Sequence, residues 1–111
     1  MKNYDDATAL TYYSMCYATL ALLFKCGIKS ENHTGTIILL KELFNIDNKD
    51  IKEAKKERVD KQYYIEFKAT RIEVKEGIEI AEKFNSNIRE KIDKITNYEI
   101  KQIIEKFNSL H

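Results

Sequence analysis

The chain of 111 residues is long enough for one hydrophobic core and too short for two ordinary domains. Its 19 basic and 18 acidic side chains leave a formal charge of +1, so no overall field draws it to nucleic acid or to an anionic membrane, and any such binding needs a local patch. The absence of proline, the three glycines and the abundance of Ile, Lys, Glu and Leu argue against a turn-rich β architecture and for an all-α fold occupying residues 1–111 as one domain.

The first helix is expected from Tyr4 to Lys25, with Gly27 as a left-handed stop and the apolar Ile28 just beyond it. Residues 7–24 carry no charge and reach the lower length limit of a membrane span. Thr8, Thr11, Ser14, Thr19, Tyr12, Tyr13 and Tyr17 interrupt that stretch where lipid would call for aliphatic side chains, so the reading is a central helix buried among others. No basic, apolar and small-residue succession marks the N-terminus as a secretory signal. Cys16 and Cys26 lie ten positions apart in this helix, roughly 15 Å along the axis, against a limit of about 7 Å for a disulfide. Both read as small buried hydrophobes in a reducing, cytoplasmic setting.

The loop "KSENHTG" precedes a second helix capped by Asn32, with Ile37, Ile38, Leu40, Leu43 and Phe44 as its apolar stripe. "NIDNKD" is the next connection, with Asp47 or Asn48 as cap of a third, strongly charged helix extending to about Gln62. Its only large apolar residues before the tyrosines are Ile51 and Val59. "YYIEFK" reads as an ordered connection pinned by its rings. Thr70 and Glu73 form a capping box opening a long fourth helix. Along it Val74, Ile78, Ala81, Ile88, Ile92 and Ile95 follow a 4-3 spacing interrupted by Asn85, a seam for a bundle partner. Thr96 and Glu99 repeat the capping box, and a fifth helix over about 97–110 places Ile100, Ile103, Ile104, Phe107 and Leu110 on one face.

Glycine-rich phosphate loops, nucleophile elbows and clusters with metal-ligand spacing are missing from the sequence, which implies neither a metal nor a cofactor. The third helix carries Lys49, Lys52, Lys55, Lys56, Arg58 and Lys61. Lys52 and Lys56 share a face that could meet RNA phosphates, and Tyr63 and Tyr64 could stack on bases. Interleaved Asp50, Glu53, Glu57 and Asp60 favour a solvated face with Glu53–Lys56 or Glu57–Lys61 pairs. His33, at the start of the second helix, reads as a neutral imidazole in a local hydrogen bond.

The stretch "YDDATALTYYSMCYATLALLFKCGIKSENHTG" resembles the core of HEPN domains through Tyr12, Tyr13, Ala18, Ala21, Leu22, Leu23, Gly27, His33 and Gly35. "ERVDKQYYIEF" is similar to the family's R-x-x-A-D-Y element, and "EGIEIAEKFNSNIREKI" to its long last helix. The likeness spans about residues 3–95 and leaves the fifth helix as an addition. It implies an up-and-down bundle of four to five helices with a long fourth helix, and a cytoplasmic homodimer. Many HEPN domains are metal-independent ribonucleases with an R-x-x-x-x-H motif, often paired as toxins with a nucleotidyltransferase. Arg58 matches the motif arginine, while Tyr63 stands in place of the histidine and Ile65 in place of a later tyrosine. A phenol with a pKa of about 10 moves protons poorly near neutrality, where imidazole does so well. The resemblance therefore implies a partner of a nucleotidyltransferase in a toxin-antitoxin-like pair, with Arg58 and Tyr63 as its catalytic candidates and Lys52, Lys56 and Tyr64 as RNA-binding ones. The alternatives are a ribonuclease with a composite site at a dimer interface, and a module for oligomerisation or RNA binding without catalysis. In some family pairs the nucleotidyltransferase adds AMP to a tyrosine near the arginine, which makes Tyr63 and Tyr64 acceptor candidates.

Overall fold

The structure is a computed structural model; it describes residues 4–63 and 71–110, with side chains described over 7–58 and 71–110. Five helices follow in order: α1 (Tyr4–Lys25), α2 (His33–Phe44), α3 (Lys49–Tyr63), α4 (Arg71–Lys94) and α5 (Asn97–Ser109). The architecture is the all-α bundle with a long fourth helix that composition and patterning imply. The Thr70 capping box, Tyr64 and the rest of the "YYIEFK" connection after Tyr63 lie outside the described residues.

α1 is the helix on which the others pack, most extensively α4, then α3 and α2. Its inward face buries Tyr12, Met15, Cys16, Thr19, Leu22 and Leu23, and the Thr19 hydroxyl donates to the Met15 carbonyl at 2.9 Å. Ile37 and Leu40 of α2, Ile51 of α3, and Ala81, Phe84 and Ile88 of α4 complete this core. A second cluster at the far end joins Leu23, Cys26 and Ile28 to Leu43, Ile95 and Ile103, closed by α5. Length and apolarity would let Ala7–Lys25 cross a membrane; 39% of that window is buried inside the protein, on the inward face. Both cysteines are buried and free.

The helix ends explain the boundaries. The Gly27 N–H donates to the Phe24 carbonyl at 2.9 Å and the Ile28 N–H to Leu23 at 2.9 Å, with Gly27 at φ 76°. That pair of bonds is the Schellman stop, and its apolar follower Ile28 packs with Leu23 in the second cluster. The Asn32 side chain accepts from the Gly35 N–H at 2.6 Å, and α2 ends on Asn45 in the left-handed region at φ 53°. Thr96 and Glu99 form the reciprocal capping box of α5.

α3 divides the two expected capping roles. Asp47 Oδ1 accepts from the Lys49 N–H at 2.9 Å. Buried Asn48 sends its amide to the Ile37 carbonyl at 3.0 Å and so ties the start of α3 to the middle of α2.

The α4 seam differs from the expected series. Ala81, Ile88 and Ile95 are buried, but Phe84, which the 4-3 count passes over, is buried with them, and Ile78 is 39% exposed. A straight helix turns in 3.6 residues and drifts by about 20° per heptad, so the buried stripe moves off a strict 3.5-residue repeat. Asn85 sits at the stripe's edge. Its Nδ2 donates to Ser14 Oγ at 3.1 Å, and its buried Oδ1 finds no partner among the described residues.

Gly27→Ala isolates the cost of the left-handed stop, because an added Cβ meets nothing within 4 Å. Urea unfolding should show a loss of about 1 kcal/mol. Thr96→Ala should cost a similar amount, about 1 kcal/mol, through the lost cap.

Candidate functional site

Three helices deliver side chains to one place. Tyr12 and Tyr13 are adjacent on α1, with ring centroids 5.6 Å apart and tilted by 45°. The start of α2 is fixed beside them by the Asn32 cap and by Thr36, whose buried hydroxyl donates to the Asn32 carbonyl at 2.9 Å and lies 2.8 Å from Ser30 Oγ. Gly35 belongs to this turn, since a Cβ there would stand 3.2 Å from the capping Asn32 oxygen. His33, the first residue of α2, therefore faces the tyrosine pair, its ring centroid 5.8 Å from Tyr12 edge-on and 6.0 Å from Tyr13.

α3 brings the cations. Held by Asn48 and the fully buried Ile51, it directs Lys55 to α2, where the ammonium donates to Thr34 Oγ1 at 2.6 Å. Three residues further on, Arg58 Nε donates to the Tyr13 hydroxyl at 3.1 Å. The guanidinium carbon lies 5.2 Å from the Tyr13 ring centroid and 5.8 Å from that of Tyr12, within cation–π range. Two ion pairs are found among the described residues, and neither involves Arg58 or Lys55. The first turn of α2 contains no acidic residue, so its N–H dipoles add to the positive side of the site.

Over residues 49–58 the charges of α3 sort by face. At about 100° per residue, Lys49, Lys52, Lys55, Lys56 and Arg58 share one side and Asp50, Glu53 and Glu57 the other. Packing follows the division. Lys55 and Arg58 turn to α2 and the tyrosines, whereas Asp50, Glu53 and Glu57 line a cleft of about 150 Å³ against α1 and α4, together with Glu73 and Glu76. Lys52 and Lys56 are exposed on the basic side. Glu53 and Lys56 form no ion pair among the described residues. Helical-wheel bookkeeping of "KDIKEAKKER" finds this division, where counting alternating signs along the chain hides it.

Of the residues expected to form a site, Arg58 takes a central place and Lys52 and Lys56 lie on its side of α3. Tyr63 is the last residue of α3, with its side chain outside the described set, and Tyr64 lies beyond it. The contacts of Arg58 that the sequence left unassigned are those with Tyr13 and Tyr12; His33, which reads from sequence as a local helix-start residue and, in the ribonuclease alternative, as a neighbour of Arg58, meets the same two rings. Contacts 45 residues apart in the chain leave no local pattern to read.

Burial sets the protonation of the inner tyrosine. Tyr12 is 1% exposed, and that desolvation, followed by a hydrogen bond to the Cys16 thiol, holds its hydroxyl proton well above the ordinary phenol range. Burial also pushes the Cys16 thiol up, opposed by the Tyr12 hydrogen bond and by the fields of Lys55 and Arg58. Tyr12 is thus a fixed, neutral donor, and Tyr13, half-buried against Arg58, forms the outer edge.

The site is a cationic, imidazole-bearing cluster on an all-α bundle. The chain belongs to the HEPN domain family, whose model matches residues 1–91, from α1 into α4; α5 lies beyond the match. No curated protein and no solved structure matches it.

An unfolded chain releases a tyrosine proton near pH 10, whereas folded Tyr12 retains its proton further into alkali. Between those points the folded state binds more protons, so stability falls as pH rises from about 10. Tyr12→Phe should flatten this alkaline limb in chemical denaturation measured from pH 8 to 11.

Proposed function

We propose that this HEPN domain binds single-stranded RNA through its phosphates, on the basic side of α3, as one half of a cytoplasmic pair with a nucleotidyltransferase. The observation that carries the RNA reading is the convergence of Arg58 and His33 on Tyr13, with Lys55 beside them. Arg58 uses Nε to hold its plane against Tyr13, an arrangement that leaves the fork of the guanidinium suited to bidentate contact with a phosphate. Lys52 and Lys56 continue the positive track along α3, and the exposed His33 ring offers a flat surface to a base. The nucleotidyltransferase is supported by membership of the family alone.

Fluorescence anisotropy with a single-stranded RNA tests the site. A hydrogen bond to a charged group contributes about 1.5–3 kcal/mol, so Arg58→Ala should weaken binding by roughly tenfold or more. Lys52→Ala and Lys56→Ala should each lower the slope of log affinity against log salt by about 0.7. Unchanged affinity in Arg58→Ala would remove the assignment. Co-expression with a nucleotidyltransferase encoded beside it should give a co-purifying complex, and its failure would remove the pairing while leaving the RNA site.

A second reading, metal-independent cleavage, is favoured by the position of His33. Tyr63 stands where the motif histidine is expected, yet α2 supplies an imidazole to the same tyrosine pair that holds Arg58. In that reaction the RNA 2′-hydroxyl loses its proton to His33 and its oxygen bonds to phosphorus. The bond to the 5′-oxygen breaks, that oxygen takes a proton from water, and Arg58 steadies the charge on the phosphorane. His33→Ala should then abolish cleavage in EDTA while RNA affinity stays within about threefold, whereas Arg58→Ala should reduce both. Equal product yields from wild type and His33→Ala would discard cleavage at this site.

A further inference from the structure

The cleft between α1, α3 and α4 lies on the other side of α3 from the basic row and suits a ligand of a different kind. Met15, Ala54, Val74 and Ile80 give it an apolar floor, and Ile80, 46% exposed, leaves that floor open to solvent. Along its rim stand Asp50, Glu53 and Glu57 of α3 and Glu73 and Glu76 of α4. Among the described residues its lining holds no lysine, arginine, histidine or side-chain amide. The Thr11 hydroxyl, also in the lining, donates its proton to the Ala7 carbonyl at 2.8 Å and so turns only lone pairs to the cleft. Such a groove accepts hydrogen bonds.

Gly77, in the interior of α4, lines the same cleft. Glycine is the poorest helix former after proline, yet neither conformation nor packing requires one here. Its φ is not positive, and an added Cβ would meet no heavy atom within 4 Å. What the missing side chain does is keep that wall of the cleft flat. A helix indifferent to any occupant would gain stability from a larger residue filling this space.

We infer that the cleft binds a short aliphatic diamine, its methylenes on the apolar floor and its ammonium groups on the carboxylates of α3 and α4. An engineered cavity of about 150 Å³ takes up one benzene, so a cleft of about 150 Å³ admits roughly six heavy atoms, the size of a four-carbon chain with a nitrogen at each end. Aliphatic ammonium groups stay charged at neutral pH, as that of lysine does, and each brings three donors to a lining that accepts. Among the described residues no three acidic groups stand close enough to hold a metal ion. Asp50 and Glu57 are seven residues apart, roughly 10 Å along the axis, so the negative charge is spread along the cleft. Two separated positive charges match that spread. The same rim repels phosphates, and the assignment uses neither Arg58 nor RNA.

Calorimetric titration of the full chain with putrescine, the four-carbon diamine, at constant ionic strength should give one site per chain with a Kd below about 1 mM. Butylamine, with the same carbon chain and one charge, should bind about tenfold more weakly. Gly77→Leu should abolish the binding heat while far-UV helicity is kept and Tm does not fall, since leucine favours the helix. Glu53→Gln, at an exposed position outside the core, tests the rim without risk to folding and should weaken putrescine by about threefold. The proposal is overturned by the lack of a saturable site up to about 10 mM putrescine, by equal affinity for butylamine, or by undiminished binding in either variant.

Discussion

Tyr12, Met15, Cys16, Thr19, Leu22 and Leu23 form a continuous buried strip along α1, and no charge interrupts it. Because the strip demands no ion pair or desolvated charge, α2, α3 and α4 can each lay apolar residues on it. Among the polar groups it buries, the Thr19 hydroxyl bonds back to the Met15 carbonyl within α1. The placement of the three cationic or imidazole side chains follows from this packing. Tyr13, one position round from the buried ring of Tyr12, becomes the shared edge on which Arg58 and His33 meet.

The near-neutral net charge conceals a strong local asymmetry. Over residues 49–58, α3 sends Lys55 to α2 and Arg58 to the tyrosine pair of α1, while Asp50, Glu53 and Glu57 line the cleft shared with α1 and α4. The α2 side of the site gathers Lys55, Arg58 and the N-terminal dipoles of a helix with no acid in its first turn. Asp50, Glu53 and Glu57 lie on the other side of the same helix.

Where local chemistry determines structure, residues alone were enough. Gly27 with Ile28, Asn32, and Thr96 with Glu99 mark three helix ends, because each is a short-range hydrogen-bond device with its own residue signature. The unpaired state of Cys16 and Cys26 follows from spacing, whereas α1, expected to be buried on most sides, is buried along its inward face and exposes Leu10, Tyr17 and Phe24 on the other. The α4 seam was readable only in part: Ala81, Ile88 and Ile95 obey the repeat, but whether Phe84 or Ile78 turns inward depends on how far α4 rotates against α1. Within the site, Arg58, Lys52 and Lys56 are visible by motif and helical spacing. The meeting of Arg58 with Tyr13, and of His33 with both tyrosines, depends on the tertiary fold, and Asn48 contributes to it through a contact eleven residues back that no capping rule anticipates.

The turn "NHTG" assigns two jobs to neighbouring residues. Gly35 keeps the capping oxygen of Asn32 in place, since a side chain there would crowd it at 3.2 Å, while His33 points away toward the tyrosines. The two therefore answer to different constraints: a side chain at Gly35 disturbs the start of α2, whereas a change at His33 leaves the cap in place and removes only the ring that faces Tyr12 and Tyr13.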